Sequence, residues 1–127
     1  MKKLVFLFIF IISILSFAVT QKTDFSAYNL SGEIISGVRV VKVESFRYSY
    51  SPNVIVVNSG ERVRIKLSTR DTEHGFKIPE INFDLKVKKG RPREGEFTAP
   101  KPGIYEIRCS VFCGSGHKEM KGRLVVK

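Results

Sequence analysis

The chain has 127 residues and is 43% hydrophobic, which suits one domain with a core of its own. Its formal net charge is +10, from 22 Lys and Arg residues against 12 Asp and Glu residues. The basic residues alternate with apolar ones, as at Arg62, Arg64 and Lys66, and alternation places them on one solvent-facing side of a strand. The charge therefore indicates a solvated surface, and we expect no nucleic-acid partner.

Residues 1–18 are predicted to be a signal peptide or a membrane anchor. Lys2 and Lys3 precede 16 residues, positions 4–19, that are apolar except for two serines. A helix of that length measures about 24 Å, less than the roughly 30 Å core of a bilayer, and Ser-Phe-Ala at 16–18 fits a signal-peptidase site. Cleavage is favoured and a retained anchor stays open. Both alternatives export the domain to the periplasm or the outer face of the membrane, where a basic surface favours an acidic protein or an anionic membrane.

Residues 19–37 are polar and irregular, which predicts a linker or an irregular lead-in to a domain at 38–127. Turn-forming residues divide that domain into short runs rich in Val, Ile, Phe and Tyr. These runs predict strands at 38–46, 53–58, 62–69, 83–87, 94–98, 104–108 and 122–126. No long amphipathic helix pattern interrupts them, so we expect an all-β sandwich or barrel with Greek-key connections.

Five side chains of metal-binding type occur in a pattern that suggests one site. Four of them follow the spacing Cys-x3-Cys-x3-His-x2-Met in a predicted loop between two strands, and His74 lies between two predicted strands upstream. Thiolate and thioether sulfur stabilise cuprous copper, and imidazole nitrogen suits both oxidation states. A copper site built from both kinds of donor can cycle between those states. The four clustered residues are Cys109, Cys113, His117 and Met120.

Other interpretations of the two cysteines compete with this one. A disulfide is common in small exported domains, but one that closes so short a loop constrains little of the unfolded chain. Zinc sites use short paired spacings and do not use Met. A mononuclear blue-copper site needs two His, one Cys and an axial Met, which leaves Cys109 without a role. Two thiolates four residues apart can instead bridge two copper ions, and this arrangement uses every candidate.

The cysteine-rich segment resembles the CuA loop of cytochrome c oxidase subunit II. Residues 109–120 read Cys-Ser-Val-Phe-Cys-Gly-Ser-Gly-His-Lys-Glu-Met. Upstream, Asp-Thr-Glu-His-Gly-Phe at 71–76 is similar to the Asp-x-x-His segment of that family, and Lys-Pro-Gly-x-Tyr at 101–105 is similar to its lead into the loop. The resemblance covers roughly residues 38–127 and is closest to the short B-class form with a single anchor.

This resemblance implies a cupredoxin-like Greek-key β-barrel or sandwich that binds two copper ions. It implies that Cys109 and Cys113 bridge both ions. It further implies that His74 and Met120 complete the ligands of one copper, and that His117 serves the other.

The family also uses a backbone carbonyl midway between the cysteines, and that residue is usually Glu. It is Val111 in this chain, and a carbonyl ligand tolerates the replacement. The Glu side chain contributes to a neighbouring metal site at the subunit I interface of the oxidases. With Val111 in its place, we expect that second metal site to be absent.

The function implied is electron transfer through the dinuclear centre, as a subunit II-like component of a respiratory haem-copper oxidase. Cytochrome c or another small redox protein would be the donor, and oxidase subunit I the acceptor. A freestanding exported CuA carrier and a copper-binding or copper-delivery protein remain alternatives. The chain is not expected to be an enzyme by itself, because the predicted ligands leave no open coordination position for a substrate.

Overall fold

The computed structural model describes residues 19–127, so the predicted signal or anchor at 1–18 lies outside the described residues. No helix within the described range has the length and apolar character needed to cross a bilayer. Single turns of 3-10 helix occur at Pro79–Ile81 and His117–Glu119. The strands of residues 19–127 are β1 (Glu33–Ile35), β2 (Val38–Phe46), β3 (Ser49–Ser51), β4 (Val54–Val57), β5 (Arg62–Thr69), β6 (His74–Ile78), β7 (Phe83–Val87), β8 (Arg93–Thr98), β9 (Gly103–Arg108) and β10 (Lys121–Val126).

The strands form two sheets that enclose a shared core. One sheet has the order β1-β2-β5-β8, with β3 also paired to β2, and the other has the order β4-β10-β9-β6-β7. Two pairs, β2 with β5 and β4 with β10, are parallel, and the remaining pairs are antiparallel. The prediction of an all-β sandwich is confirmed.

Strand β5 shows why these sequences form half-buried strands. Val63, Ile65 and Leu67 are fully buried. In a strand, successive side chains point to opposite faces, so every second residue faces the core. The residues between them face outward, and Arg64 donates to a carboxylate oxygen of Glu96 on β8 at 2.7 Å. The basic residues of this strand therefore form a solvated face, as the alternation predicts.

The sequence misses three strands, each for a physical reason. β1 and β3 have only three residues each, too few for a periodic pattern, and β1 lies inside the 19–37 segment predicted as a linker or lead-in. β6 is buried on both of its sides, so it shows no alternation. The placement of His74 between strands is thus wrong, since His74 is the first residue of β6.

A partly buried ion pair joins the first strands to the β4–β5 turn. Arg39 is only 6% exposed, and its Nε and a terminal guanidinium nitrogen donate to the two carboxylate oxygens of Glu61 at 2.6 and 2.9 Å. The other terminal nitrogen donates to the carbonyl of Ser31 at 2.8 Å. The Arg39 hydrogen bonds, and then those from Asn58, lower the pKa of Glu61 from 4.5 to about 2.

We predict that Glu61→Gln lowers the free energy of unfolding by about 2 kcal/mol at pH 7, because it removes a two-pronged, charge-assisted hydrogen bond. The folded-state pKa of Glu61 lies below its ordinary value of 4.5. The stabilisation is therefore complete above that value and is lost as the pH falls toward 2. Urea unfolding between pH 7 and pH 3 should show the unfolding free energies of the wild type and Glu61→Gln becoming more alike as the pH falls. Glu33→Gln, on exposed β1, is the control, and an equal loss there would contradict the prediction.

Candidate metal centre

The topology of the second sheet brings the candidate residues to one end of the sandwich. β9 ends at Arg108, and the next twelve residues form a loop, here called the ligand loop (residues 109–120), that leads into β10. β6 lies beside β9, so His74 at the start of β6 comes next to Cys109 at the start of the loop. All six predicted site residues gather at this end.

The donor atoms lie close to one another. The sulfurs of Cys109 and Cys113 are 3.8 Å apart, and the Cys109 sulfur is 4.0 Å from Nδ1 of His74. The Cys113 sulfur is 3.7 Å from Nδ1 of His117 and 3.8 Å from Sδ of Met120. These distances define one cluster of two thiols, two imidazoles and a thioether.

The carbonyl oxygen of Val111 belongs to the same cluster. It lies 3.0 Å from the Cys109 sulfur, and the Val111 side chain is half-buried. The structure therefore turns this carbonyl toward the Cys109 sulfur. A main-chain oxygen is available there whatever side chain residue 111 carries.

Most of the cluster is shielded from water. His74 and Met120 are fully buried, Cys109 is 6% exposed and Cys113 is 5% exposed, whereas His117 is half-buried. Burial and the neighbouring Cys109 thiol raise the pKa of Cys113 to about 11. A cation between the sulfurs would offset that cost, because a bound metal holds its cysteine ligands as thiolates.

The donor set fits a soft metal ion better than a disulfide. A disulfide requires sulfurs about 2.05 Å apart, and the two cysteines are free with sulfurs 3.8 Å apart. One ion at a usual metal–thiolate distance of about 2.3 Å can contact both sulfurs across that gap. His74, Cys109 and Cys113 place one donor atom each within 4.8 Å of one another.

Asp71 fixes the orientation of the His74 ring. Its Oδ1 lies 2.7 Å from Nε2 of His74, which leaves Nδ1 facing the cysteines. Burial alone would raise the pKa of Asp71, but hydrogen bonds from the Arg47 backbone, from His74 and from the Thr72 backbone lower it to about 2. An ionised carboxylate thus accepts from the far side of the ring, as is usual for histidines that bind metals.

Gly75 allows β6 to lie directly against the ligand loop. A Cβ atom at this position would lie 1.9 Å from Oγ and 2.6 Å from the backbone nitrogen of Ser110. The Gly75 N–H points at the Cys109 sulfur at 3.4 Å, and its carbonyl accepts from the Tyr50 hydroxyl at 2.6 Å. Ser110 in turn donates to Asp84 on β7 at 2.6 Å.

Tyr48 is a second support that the sequence does not reveal. Its ring covers Gly114 and Gly116, where an added Cβ would lie 2.4 Å from tyrosine atoms in both cases. Gly114 also has a φ of 137°, which favours glycine. The two glycines within the Cys-Gly-Ser-Gly-His segment are the only sequence signal of this contact, and they do not identify the partner.

Two phenylalanines near the motif have different environments. Phe76 is fully buried and packs edge-on against Tyr50, with ring centroids 5.5 Å apart. Phe112 is 79% exposed, and its ring centroid lies 5.7 Å from that of His117. Phe76 is thus part of the core beneath the cluster, and Phe112 projects beside the most accessible histidine.

With this geometry established, comparison with known proteins identifies the family. The sequence matches the cupredoxin-like domain over residues 7–126, and the chain belongs to that family. Subunit 2 of cytochrome c oxidase from Thermus thermophilus is 37% identical over 87 residues, which make up 68% of this chain and 64% of the relative. The resemblance to subunit II is therefore confirmed, and the chain spans just under two thirds of that relative's length.

Solved structures agree on the fold. A chain of a haem-copper terminal oxidase dimer superposes with a TM-score of 0.67 at 24% identity, over 84% of this chain and 76% of the other. The periplasmic domain of cytochrome oxidase subunit II from Bradyrhizobium japonicum gives 0.64 at 21% identity, over 69% of this chain and 83% of the other. At these identities the likeness shows a shared cupredoxin β-sandwich.

We predict that Gly75→Ala destabilises the protein by about 1–3 kcal/mol and weakens metal uptake, because the new methyl group displaces the ligand loop at Ser110. Gly103→Ala is the matched control, since a Cβ there would meet nothing closer than 3.6 Å. Urea unfolding and copper titration of both variants measure the two effects. Equal behaviour of the variants would refute the proposed role of Gly75.

Proposed function

We propose that this chain binds two copper ions in a dinuclear CuA centre and passes single electrons as a subunit II-like component of a haem-copper terminal oxidase. One observation carries the proposal. Two buried cysteine sulfurs lie 3.8 Å apart, with an imidazole nitrogen within 4.0 Å of each and a thioether beside one of them. Sulfur and imidazole donors together suit copper that alternates between two oxidation states.

The six donors lie in one cluster, and the resemblance to subunit II divides them into two ligand sets. Cys109 and Cys113 would be shared by the two ions, His74 and Met120 would complete one ligand set, and His117 would complete the other. The carbonyl of Val111 is the sixth donor. When bound, the dinuclear centre accepts and releases one electron at a time.

A mononuclear copper site explains the structure less well. It would use Cys113, both histidines and Met120, and would leave Cys109 without a function. Yet Cys109 is as buried as Cys113, and its sulfur is the one that lies beside Nδ1 of His74. A centre that uses both thiols accounts for the position of Cys109.

The surrounding protein holds the ligands in place between electron transfers. The Cys109 N–H donates to the carbonyl of Met120 at 3.3 Å, which ties the two ends of the ligand loop together. The fully buried His74 and Met120 exclude water from one side of the centre. Half-buried His117 is the ligand most accessible to a redox partner.

The relationship to oxidase subunit II also suggests where this chain is located and which proteins it binds. We propose that residues 1–18 direct the domain to the periplasm or the outer face of the membrane, either cleaved or kept as an anchor, and that residues 38–127 carry the centre. Cytochrome c or another small redox protein is the proposed donor, and oxidase subunit I the proposed acceptor. The related periplasmic domain from Bradyrhizobium japonicum supports this location.

Cys109→Ser should reduce the copper content from two ions per chain to at most one, because a serine hydroxyl does not bridge copper as a thiolate does. Ser115→Ala, at an exposed position of the same loop, should keep both ions. Copper analysis and electron paramagnetic resonance of the loaded proteins measure this. Two ions retained by Cys109→Ser would contradict the bridging assignment.

A redox cycle separates electron transfer from copper delivery. The loaded protein should show a persistent mixed-valence, multi-line electron paramagnetic resonance spectrum and fast electron exchange. Binding of cuprous copper alone, with rapid release to a chelator, would support a role in copper delivery and contradict the electron-transfer proposal. Copurification of the native protein with a haem-copper subunit I, after extraction from membranes, tests the oxidase partner.

A further inference from the structure

Arg47 contacts one candidate ligand, Cys113, and the residue that orients another, Asp71. It lies in the short connection between β2 and β3, far in sequence from every predicted ligand. Its Nε donates to the carbonyl oxygen of Cys113 at 2.8 Å, with a separation of 66 residues. Its backbone N–H donates to Oδ2 of Asp71 at 2.7 Å.

The contact with Asp71 connects Arg47 to His74. Asp71 accepts from Arg47 with one carboxylate oxygen, and its other oxygen lies 2.7 Å from Nε2 of His74. A continuous path of hydrogen bonds therefore runs from the carbonyl of Cys113 through Arg47 and Asp71 to the ring of His74. This path links the ligand loop to β6.

The Arg47 guanidinium forms no ion pair within the described residues, although the carboxylate of Asp71 accepts the backbone N–H of the same residue. Within residues 19–127, no carboxylate oxygen lies within 4.0 Å of its guanidinium group. The neighbouring Arg70, by contrast, pairs with Glu44 at 2.6 Å and stacks over the ring of Phe46. The Arg47 guanidinium instead meets the main chain of a candidate ligand, so its positive charge acts on the metal site.

We propose that Arg47 is a positioning and charge-tuning residue of the metal centre, which clamps Cys113 and His74 together and favours the reduced state of bound copper. This inference rests on the function proposed above. The reduced centre carries one positive charge less than the oxidised centre, so a nearby cation repels it less.

Three variants separate the positioning effect of the Arg47 side chain from the effect of its positive charge. Arg47→Gln removes the cation, and Arg47→Lys keeps a cation that can still reach a carbonyl. Arg70→Gln removes another exposed cation next to Asp71, one that pairs with Glu44, and is the control.

At a fixed applied potential, Arg47→Gln should lower the ratio of reduced to oxidised copper centre by about twofold to fivefold, the range expected for one partly exposed charge. Arg47→Lys should restore the wild-type ratio, and the Arg70→Gln ratio should match the wild type. Optical titration against redox mediators, at low and high salt, measures these ratios. A ratio for Arg47→Gln equal to that of Arg70→Gln would overturn the charge-tuning role.

The copper-free proteins test the clamp without any dependence on the copper proposal. Amide hydrogen exchange of the ligand loop should be faster in Arg47→Gln than in the wild type and Arg70→Gln. Unchanged exchange in Arg47→Gln would overturn the positioning role. If the wild-type protein fails to bind two copper ions, the CuA proposal fails, and the exchange experiment still decides whether Arg47 clamps Cys113 to the Asp71–His74 pair.

Discussion

Close contact between strand β6 and the ligand loop is the constraint on which the metal centre depends. Residue 75 has no side chain, and the β6 backbone can therefore approach Ser110 to a distance that a Cβ atom would forbid. This approach brings His74 to Cys109, although 35 positions separate them in the sequence. The β-sandwich supplies the rigid surroundings, because the residues beneath the contact, such as Phe76 and Ile107, are fully or almost fully buried in the core.

Burial explains why this arrangement suits a redox metal. Two thiols held together in an apolar environment resist ionisation, as the raised pKa of Cys113 shows. Metal ions supply the positive charge that makes two adjacent thiolates acceptable, so metal binding and the order of the loop are coupled. β6, Tyr48 and Arg47 all contact this loop and hold it in the metal-free structure.

Charges at the surface have two different arrangements. Along β5 and β8, basic residues face carboxylates on the adjacent strand, as Arg64 faces Glu96, and such exposed pairs contribute little stability each. Near the ligand loop, the Arg47 guanidinium has no carboxylate partner within the described residues and contacts a main-chain carbonyl instead. The net charge of the chain does not distinguish these arrangements, because it counts both kinds of residue equally.

The sequence by itself determined the all-β class, placed seven of the strands to within one residue at each end, and named the six candidate ligands. Alternation marked half-buried strands such as β5, and the spacing from Cys109 to Met120 marked the loop, because both are local patterns. Only the tertiary structure decided that His74 begins a strand, that Asp71 orients its ring, and that Gly75, Tyr48 and Arg47 support the loop. Most of these roles depend on contacts between segments distant in sequence, and local patterns such as alternation and spacing do not identify the partners in those contacts.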